Sequence, residues 1–202
     1  MIISMFIERP PLFYRIFYPG AVWRIKNGKE KTVYLTFDDG PIPEVTPWVL
    51  DVLDTYRIKA TFFCVGDNVR KHPSLYRQIL KKGHITGNHT FNHIQGWKHG
   101  TDYFIANTQK ANSYIQSPFF RPPHGHILHS QFVLLKKKGY KTWDYTDKDS
   151  IDDADIYVLC VCPSTPNDSA LVKGTFKGIH QGKFTYIQTD LESCPDAQEK
   201  MK

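Results

Sequence analysis

Apolar positions along this 202-residue chain switch repeatedly between strand-like and helix-like spacing, and the switching predicts an architecture. Lys31 to Phe37 is rich in β-branched and aromatic residues (Val33, Tyr34, Thr36, Phe37) and reads as a buried strand. Val45, Trp48, Val49, Val52, Leu53 and Tyr56 then recur at helical spacing and make one apolar face. The pattern continues with a strand at 60–65 and a helix around 68–82 carrying Leu75, Tyr76, Ile79 and Leu80. A strand near 84–88 precedes a helix around 101–116, which presents Phe104, Thr108, Ala111 and Ile115. A strand at 118–121, a helix around 129–139 and a strand from Tyr140 to Asp144 complete the series. Such βα alternation, without a long linker or a repeat of roughly 20–50 residues, predicts an α/β fold with a parallel sheet or barrel.

Both ends depart from that rhythm. Ile2, Ile3, Met5, Phe6 and Ile7 open the chain, but Glu8, Arg9, Pro10 and Pro11 cut the run short. It is too brief for a membrane-spanning helix and makes a poor signal-peptide core, so the expectation is a cytoplasmic protein. Peripheral membrane or cell-envelope association is the alternative. Residues 12–25 carry enough apolar side chains (Leu12, Phe13, Tyr14, Ile16, Phe17, Tyr18, Val22, Trp23) to pack on the domain. Ile156 to Cys162 looks like a strand, whereas Gln181 to Lys202 has no helical periodicity. The expected division is a preface at 1–30, a core at 31–150 and a divergent segment at 151–202.

Composition narrows this picture without redirecting it. With 41% hydrophobic and 14% aromatic residues, the chain can bury one sizeable core. The net charge of +6 comes from 26 basic against 20 acidic residues. Its lysines cluster at predicted helix ends (Lys81-Lys82, Lys136-Lys137-Lys138), where cations complement the helix dipole. No nucleic-acid motif accompanies the charge, so no nucleic-acid partner is expected. Cys64 sits in an apolar strand, and the C-x-C of Cys160 and Cys162 lacks the paired spacing of a zinc ribbon. No disulfide framework is implied, and a reducing compartment suits such a set.

The chemistry concentrates in three clusters, each following a predicted strand. Thr36-Phe37-Asp38-Asp39-Gly40-Pro41 puts adjacent carboxylates where a strand ends, so their side chains diverge and can divide labour. His89-Thr90-Phe91-Asn92-His93 spaces two imidazoles at i, i+4; on a helical turn they would face one divalent ion. One carboxylate with two imidazoles suits zinc, cobalt or nickel and leaves positions open for water and substrate. Arg121-Pro122-Pro123-His124-Gly125 adds a permanent cation on a stiff backbone.

In this order and spacing, the clusters resemble the polysaccharide deacetylase family, also called the NodB-homology domain or carbohydrate esterase family 4. Ala60-Thr61-Phe62-Phe63-Cys64-Val65-Gly66 looks like its second strand. The resemblance spans 31 to about 150 and implies an irregular (β/α)7 barrel, incomplete at its C-terminal end. It implies one divalent metal, zinc with cobalt or nickel as variants, held by Asp39, His89 and His93. Asp38 then matches the catalytic base, Arg121 the residue holding that base, and the His124 backbone N–H an oxyanion donor. Trp97, Phe91 and Pro123 would wall the pocket. The implied partner is an N-acetylated glycan, with no transmembrane segment.

Past residue 140 the likeness weakens in stages. Trp143 to Asp149 resembles the fourth family motif, aligning Asp149 with the aspartate that tunes a catalytic histidine, but Ser150 stands where an aromatic is expected. The strand that should deliver that histidine ends in none, which leaves His180 as the stand-in. Two readings follow: a metal-dependent hydrolase that removes N-acetyl groups from sugars, or an impaired remnant that binds metal or glycan without efficient turnover.

Overall fold

In the computed structural model, residues 16–19, 21, 32–142, 157–161 and 186–188 are described. Among the described residues there are seven strands and five α-helices; β1 to β6 fall where the apolar periodicity predicts strands, whereas β7 lies in a segment where no element is expected. The strands are β1 (Thr32–Asp38), β2 (Thr61–Cys64), β3 (Ile85–Asn88), β4 (Phe119–Phe120), β5 (Lys141–Thr142), β6 (Tyr157–Val161) and β7 (Tyr186–Gln188). The helices are α1 (Thr46–Thr55), α2 (Gly66–Lys71), α3 (Pro73–Lys81), α4 (Thr101–Ala111) and α5 (His129–Lys137).

All six strand pairings are parallel. The path runs β5-β4-β3-β2-β1-β6, and β7 pairs with the first residues of β1. Parallel strands need crossover connections, and from β1 to β5 the helices supply them. This is the expected (β/α)7 arrangement, and among the described residues the sheet does not close into a full ring.

One core cluster joins Leu35 and Phe37 of β1 to Val49, Leu50 and Leu53 of α1, Phe62 of β2, Val69 and Ile79. A second sits under α4 and α5 and contains Phe104, Ile105, Phe120, Phe132, Leu135 and Tyr140. Tyr18 belongs to that second cluster, and its hydroxyl donates to the Ile127 carbonyl at 3.0 Å. Each fully buried Leu or Phe contributes roughly 1.5–3 kcal/mol, so the two clusters fix the strands whose ends carry the chemistry. Packing between β2 and β3 is tight enough to require glycine. A Cβ on Gly87 would lie 2.5 Å from the Phe63 ring.

Two local expectations are corrected. The helix around 68–82 is two helices, because His72 (φ −125°, ψ 56°) precedes Pro73, whose ring disfavours a helical conformation at the residue before it. The segment 89–93 is not helical at all: Thr90 and His93 both have positive φ, at 63° and 53°. Side chains replace the helical bonds there. Asn88 Oδ1 accepts from Thr90 N at 2.8 Å, and Asn107 Oδ1 accepts from Phe91 N and Asn92 N at 2.9 and 3.0 Å.

Candidate metal centre

Parallel strands place their C-terminal ends on one face of a sheet, where α/β folds and barrels carry their sites. Asp38 ends β1, His89 follows β3, and Arg121 follows β4. The side chains of Asp39, His89 and His93 converge there, with one ligand atom from each lying within 4.8 Å of the others. His93 Nε2 is 2.9 Å and His89 Nε2 is 3.4 Å from Asp39 Oδ1. The imidazoles meet although the helical turn expected to align them does not form. Their meeting depends on the two left-handed residues between β3 and Ile94.

The donor set fits a small divalent cation. Asp39 Oδ1 is buried, yet no donor reaches it with hydrogen-bonding geometry. His89 Nδ1 lies 2.7 Å from the Arg121 carbonyl, which can only accept, so Nδ1 carries a proton and Nε2 is the ring nitrogen turned towards Asp39. Two imidazole nitrogens and one carboxylate oxygen around a shared gap are a donor set that could hold a divalent metal ion and would leave a position for a further ligand. Burial raises the Asp39 carboxyl, but His89 and His93 outweigh it and hold it well below the usual carboxylate range. Burial pulls the His89 imidazole down, but the carboxylates of Asp38 and Asp39 prevail and leave it above its ordinary value.

Asp38 stands apart from this set, as its divergence from Asp39 predicts. The Arg121 guanidinium donates to Asp38 Oδ1 at 2.7 Å and to Thr36 Oγ1 at 2.7 Å. Arg121 is completely buried, with the Phe63 ring 4.1 Å beneath its guanidinium carbon. Asp38 Oδ2 lies 4.0 Å from His89 Nε2, facing the same gap as the ligand atoms. His124 follows Pro123 in a tight turn closed by Gly125 N to the Pro122 carbonyl at 3.0 Å. Its φ of 58° lies in the left-handed region. Among the described residues no acceptor takes the His124 N–H. Burial, then His93 and His126, hold the His124 ring below its ordinary value.

Of the five non-glycine residues with positive φ among the described residues, Asp39, Thr90, His93 and His124 all lie at this centre. Backbone held in such regions collects at functional sites. Here that observation agrees with the side-chain geometry.

A family model described as polysaccharide deacetylase matches residues 25–143. The chain belongs to that family. A Bacillus cereus peptidoglycan-N-acetylglucosamine deacetylase is 40% identical over 128 residues, which is 60% of this chain and 59% of that protein. A chitooligosaccharide deacetylase of Azorhizobium caulinodans is 38% identical over 129 residues, covering 59% of this chain and 61% of its own. The chain thus spans about three fifths of the length of these curated relatives. A crystal structure of a peptidoglycan N-acetylglucosamine deacetylase in complex with 4-naphthalen-1-yl-N-oxidanyl-benzamide superposes with a TM-score of 0.70 at 26% identity, covering 85% of this chain and 90% of that one. The family 4 carbohydrate esterase PdaA of Bacillus subtilis gives 0.67 at 27% identity, covering 89% and 87%.

Membership in the polysaccharide deacetylase family accounts for the barrel and its strand-end site. Asp149 and His180 lie outside the described residues, as does the expected fourth motif from Trp143 to Asp149. Phe91 is corrected: it is buried in the first core cluster, against the position of Gly66, and does not wall the site. Sequence reading gave no role to Thr36, Asn88, Asn107 or Asn68. Asn68 Nδ2 donates to the Asp39 carbonyl at 2.8 Å and steadies its left-handed backbone. Asn88 is adjacent to His89, but nothing in the chain flags Asn107 on a helix fourteen residues beyond His93.

Proposed function

We propose that this chain is a divalent-metal-dependent hydrolase that removes N-acetyl groups from the sugars of a glycan. The observation that carries the reading is a pair of neighbouring carboxylates with different surroundings. Asp38 is tied through one oxygen to buried Arg121, while Asp39 faces two imidazoles. A cation held by Asp39, His89 and His93, with zinc favoured and cobalt or nickel suited to the same donors, would acidify water and polarise an amide carbonyl.

The chain's own groups do the rest. Arg121 fixes the rotamer of Asp38, leaving Oδ2 to take a proton from water lying between it and the substrate carbon. The His124 N–H, free of an acceptor among the described residues, donates to the oxygen that gains charge as the carbonyl becomes tetrahedral. Asp149 and His180 remain the proposed pair for protonating the leaving amine. Peptidoglycan is the glycan the relatives' names give most often, with N-acetylglucosamine as the sugar in some and N-acetylmuramic acid in another. That substrate is found in the cell envelope and lends no support to a cytoplasmic location. No helix among the described residues is long and apolar enough to cross a membrane.

A second reading, metal and glycan binding without efficient turnover, rests on the family match ending at residue 143, before Asp149 and His180. One experiment separates the two. Zinc-loaded protein is incubated with an N-acetylglucosamine tetramer and acetate is measured, with and without a chelator. Acetate release that stops on chelation and returns with zinc supports the hydrolase. Full zinc occupancy without acetate release supports the binder.

A further inference from the structure

We propose that Trp97 is a stacking platform for a second sugar ring of the glycan, beside the metal centre. Trp97 is 54% exposed, unusual for a tryptophan in a folded domain. It is also held rigidly. One face stacks on His126, with centroids 4.2 Å apart and planes 9° from parallel. Its Nε1–H donates to the Ile127 carbonyl at 3.2 Å.

The backbone beneath is pinned just as firmly. Gly96 N donates to the His126 carbonyl at 3.0 Å, and a Cβ on Gly96 would lie 2.5 Å from that same oxygen. Fully buried Gln131 donates from Nε2 to the Gly96 and His99 carbonyls at 3.0 and 3.1 Å, and its Oε1 accepts from Leu128 N. An exposed aromatic side chain with both its ring and its loop fixed loses little entropy when it binds a partner.

Position identifies the occupant. Aromatic rings run unbroken from the metal centre to Trp97: His93 to His124 at 4.8 Å, His124 to His126 at 6.1 Å, and His126 to Trp97 at 4.2 Å. The exposed Tyr103 and Tyr114 rest instead on His99 and Phe91, off this path. Two rings separate Trp97 from the ligand histidine, so it serves a neighbour of the sugar being deacetylated. With Nε1–H already engaged, the indole offers a π face rather than a hydrogen bond. The C–H face of a pyranose ring is apolar and weakly positive, which suits the negative face of an aromatic ring.

The identity of the glycan rests on the deacetylase reading, so the test measures binding and turnover side by side. Zinc-loaded protein is titrated calorimetrically with N-acetylglucosamine monomer and tetramer. Trp97→Ala should weaken tetramer binding about three- to tenfold and erase most of its advantage over the monomer, with zinc content unchanged. Trp97→Phe, which keeps a ring but not the Nε1–H, should retain most of that advantage. Equal tetramer affinity in wild type and Trp97→Ala overturns the platform, as does an equal loss in both variants accompanied by loss of zinc. Acetate release by the wild type alongside unchanged tetramer binding by Trp97→Ala would overturn the platform and leave the deacetylase reading standing. Tetramer binding that depends on Trp97, without acetate release, would do the reverse.

Discussion

The carbonyl of Arg121 accepts the Nδ1–H of His89 across 2.7 Å, while the guanidinium of the same residue grips Asp38 at 2.7 Å. One buried residue therefore sets the tautomer of a proposed metal ligand and the rotamer of the proposed base. Its own backbone is fixed from β3, since Arg121 N donates to the Asn88 carbonyl at 3.0 Å. The two halves of the site cannot shift independently.

The purified protein is expected to bind one divalent metal through Asp39, His89 and His93. Elemental analysis should find close to one equivalent in the wild type and almost none in His89→Ala/His93→Ala, because one remaining carboxylate holds zinc poorly. Equal occupancy in both would remove the assignment.

Asp38→Asn and Asp39→Asn should separate cleanly. The first should keep its metal and lose at least ~10²-fold in acetate release, the lower range of a general-base contribution. It should also lose stability, by roughly 1–3 kcal/mol, because the buried ion pair between Arg121 and Asp38 becomes a neutral hydrogen bond. The second should lose metal. Metal analysis that reverses this pattern would exchange the two roles.

Metal affinity should fall on acidification, beginning at a higher pH than an ordinary histidine site would show. The carboxylates beside His89 hold its imidazole above the usual value, so protons compete with the cation earlier. For each proton displaced, affinity should drop about tenfold per pH unit below the relevant pKa. Chelator competition between pH 8 and pH 5 measures the slope, and a flat profile would contradict the ligand set.

Asn107→Ala should weaken metal binding without touching a ligand. It removes the acceptor for Phe91 N and Asn92 N and the Nδ2 donor to Asn92 Oδ1. Unsatisfied buried donors cost about 1–3 kcal/mol each, and the loop that aims His93 relaxes. Asn107→Asp keeps the acceptor and should lose less. Thermal melts with chelator competition would show whether stability and zinc affinity fall together.

His84 should make the fold acid-sensitive at the opposite end of β3. Its Nδ1 accepts from Ala60 N at 3.2 Å, so the folded ring is neutral. Burial, then Lys59 and Lys82 over the opposing Asp54, pull its pKa down to about 4. The unfolded chain, with a value near 6.5, binds more protons between those limits, so stability falls as pH drops from about 6.5 to about 4. The ceiling on this loss is about 3 kcal/mol. Urea unfolding at pH 7, 5.5 and 4 should show a shallower decline in His84→Asn, whose amide oxygen can replace Nδ1 as acceptor.

Strands β1 to β6 and the three clusters were legible in the chain because each depends on local signals: β-branched runs, Gly and Pro punctuation, and titratable residues directly after them; β7 was not. The path across 89–93 was not. Spacing alone favours a helical turn, and what prevents it is the side chain of Asn107, delivered from a helix formed later in the chain. The split at His72 was visible in Pro73 and was overridden by the apolar periodicity on either side. Phe91 misled for the opposite reason: it sits between two site histidines, yet its ring turns into the core while His89 and His93 face the gap.

The contact between Gly87 and Phe63 has a consequence for how loss of function could be recognised. Phe63 is the floor under Arg121, and Arg121 aims Asp38. A single methyl group added at Gly87 would press on that floor and pass the displacement on to the carboxylate, through two residues that meet no substrate. Such a chain would keep every signature residue and still be silent, so an inventory of motifs would count it among the active members of its family.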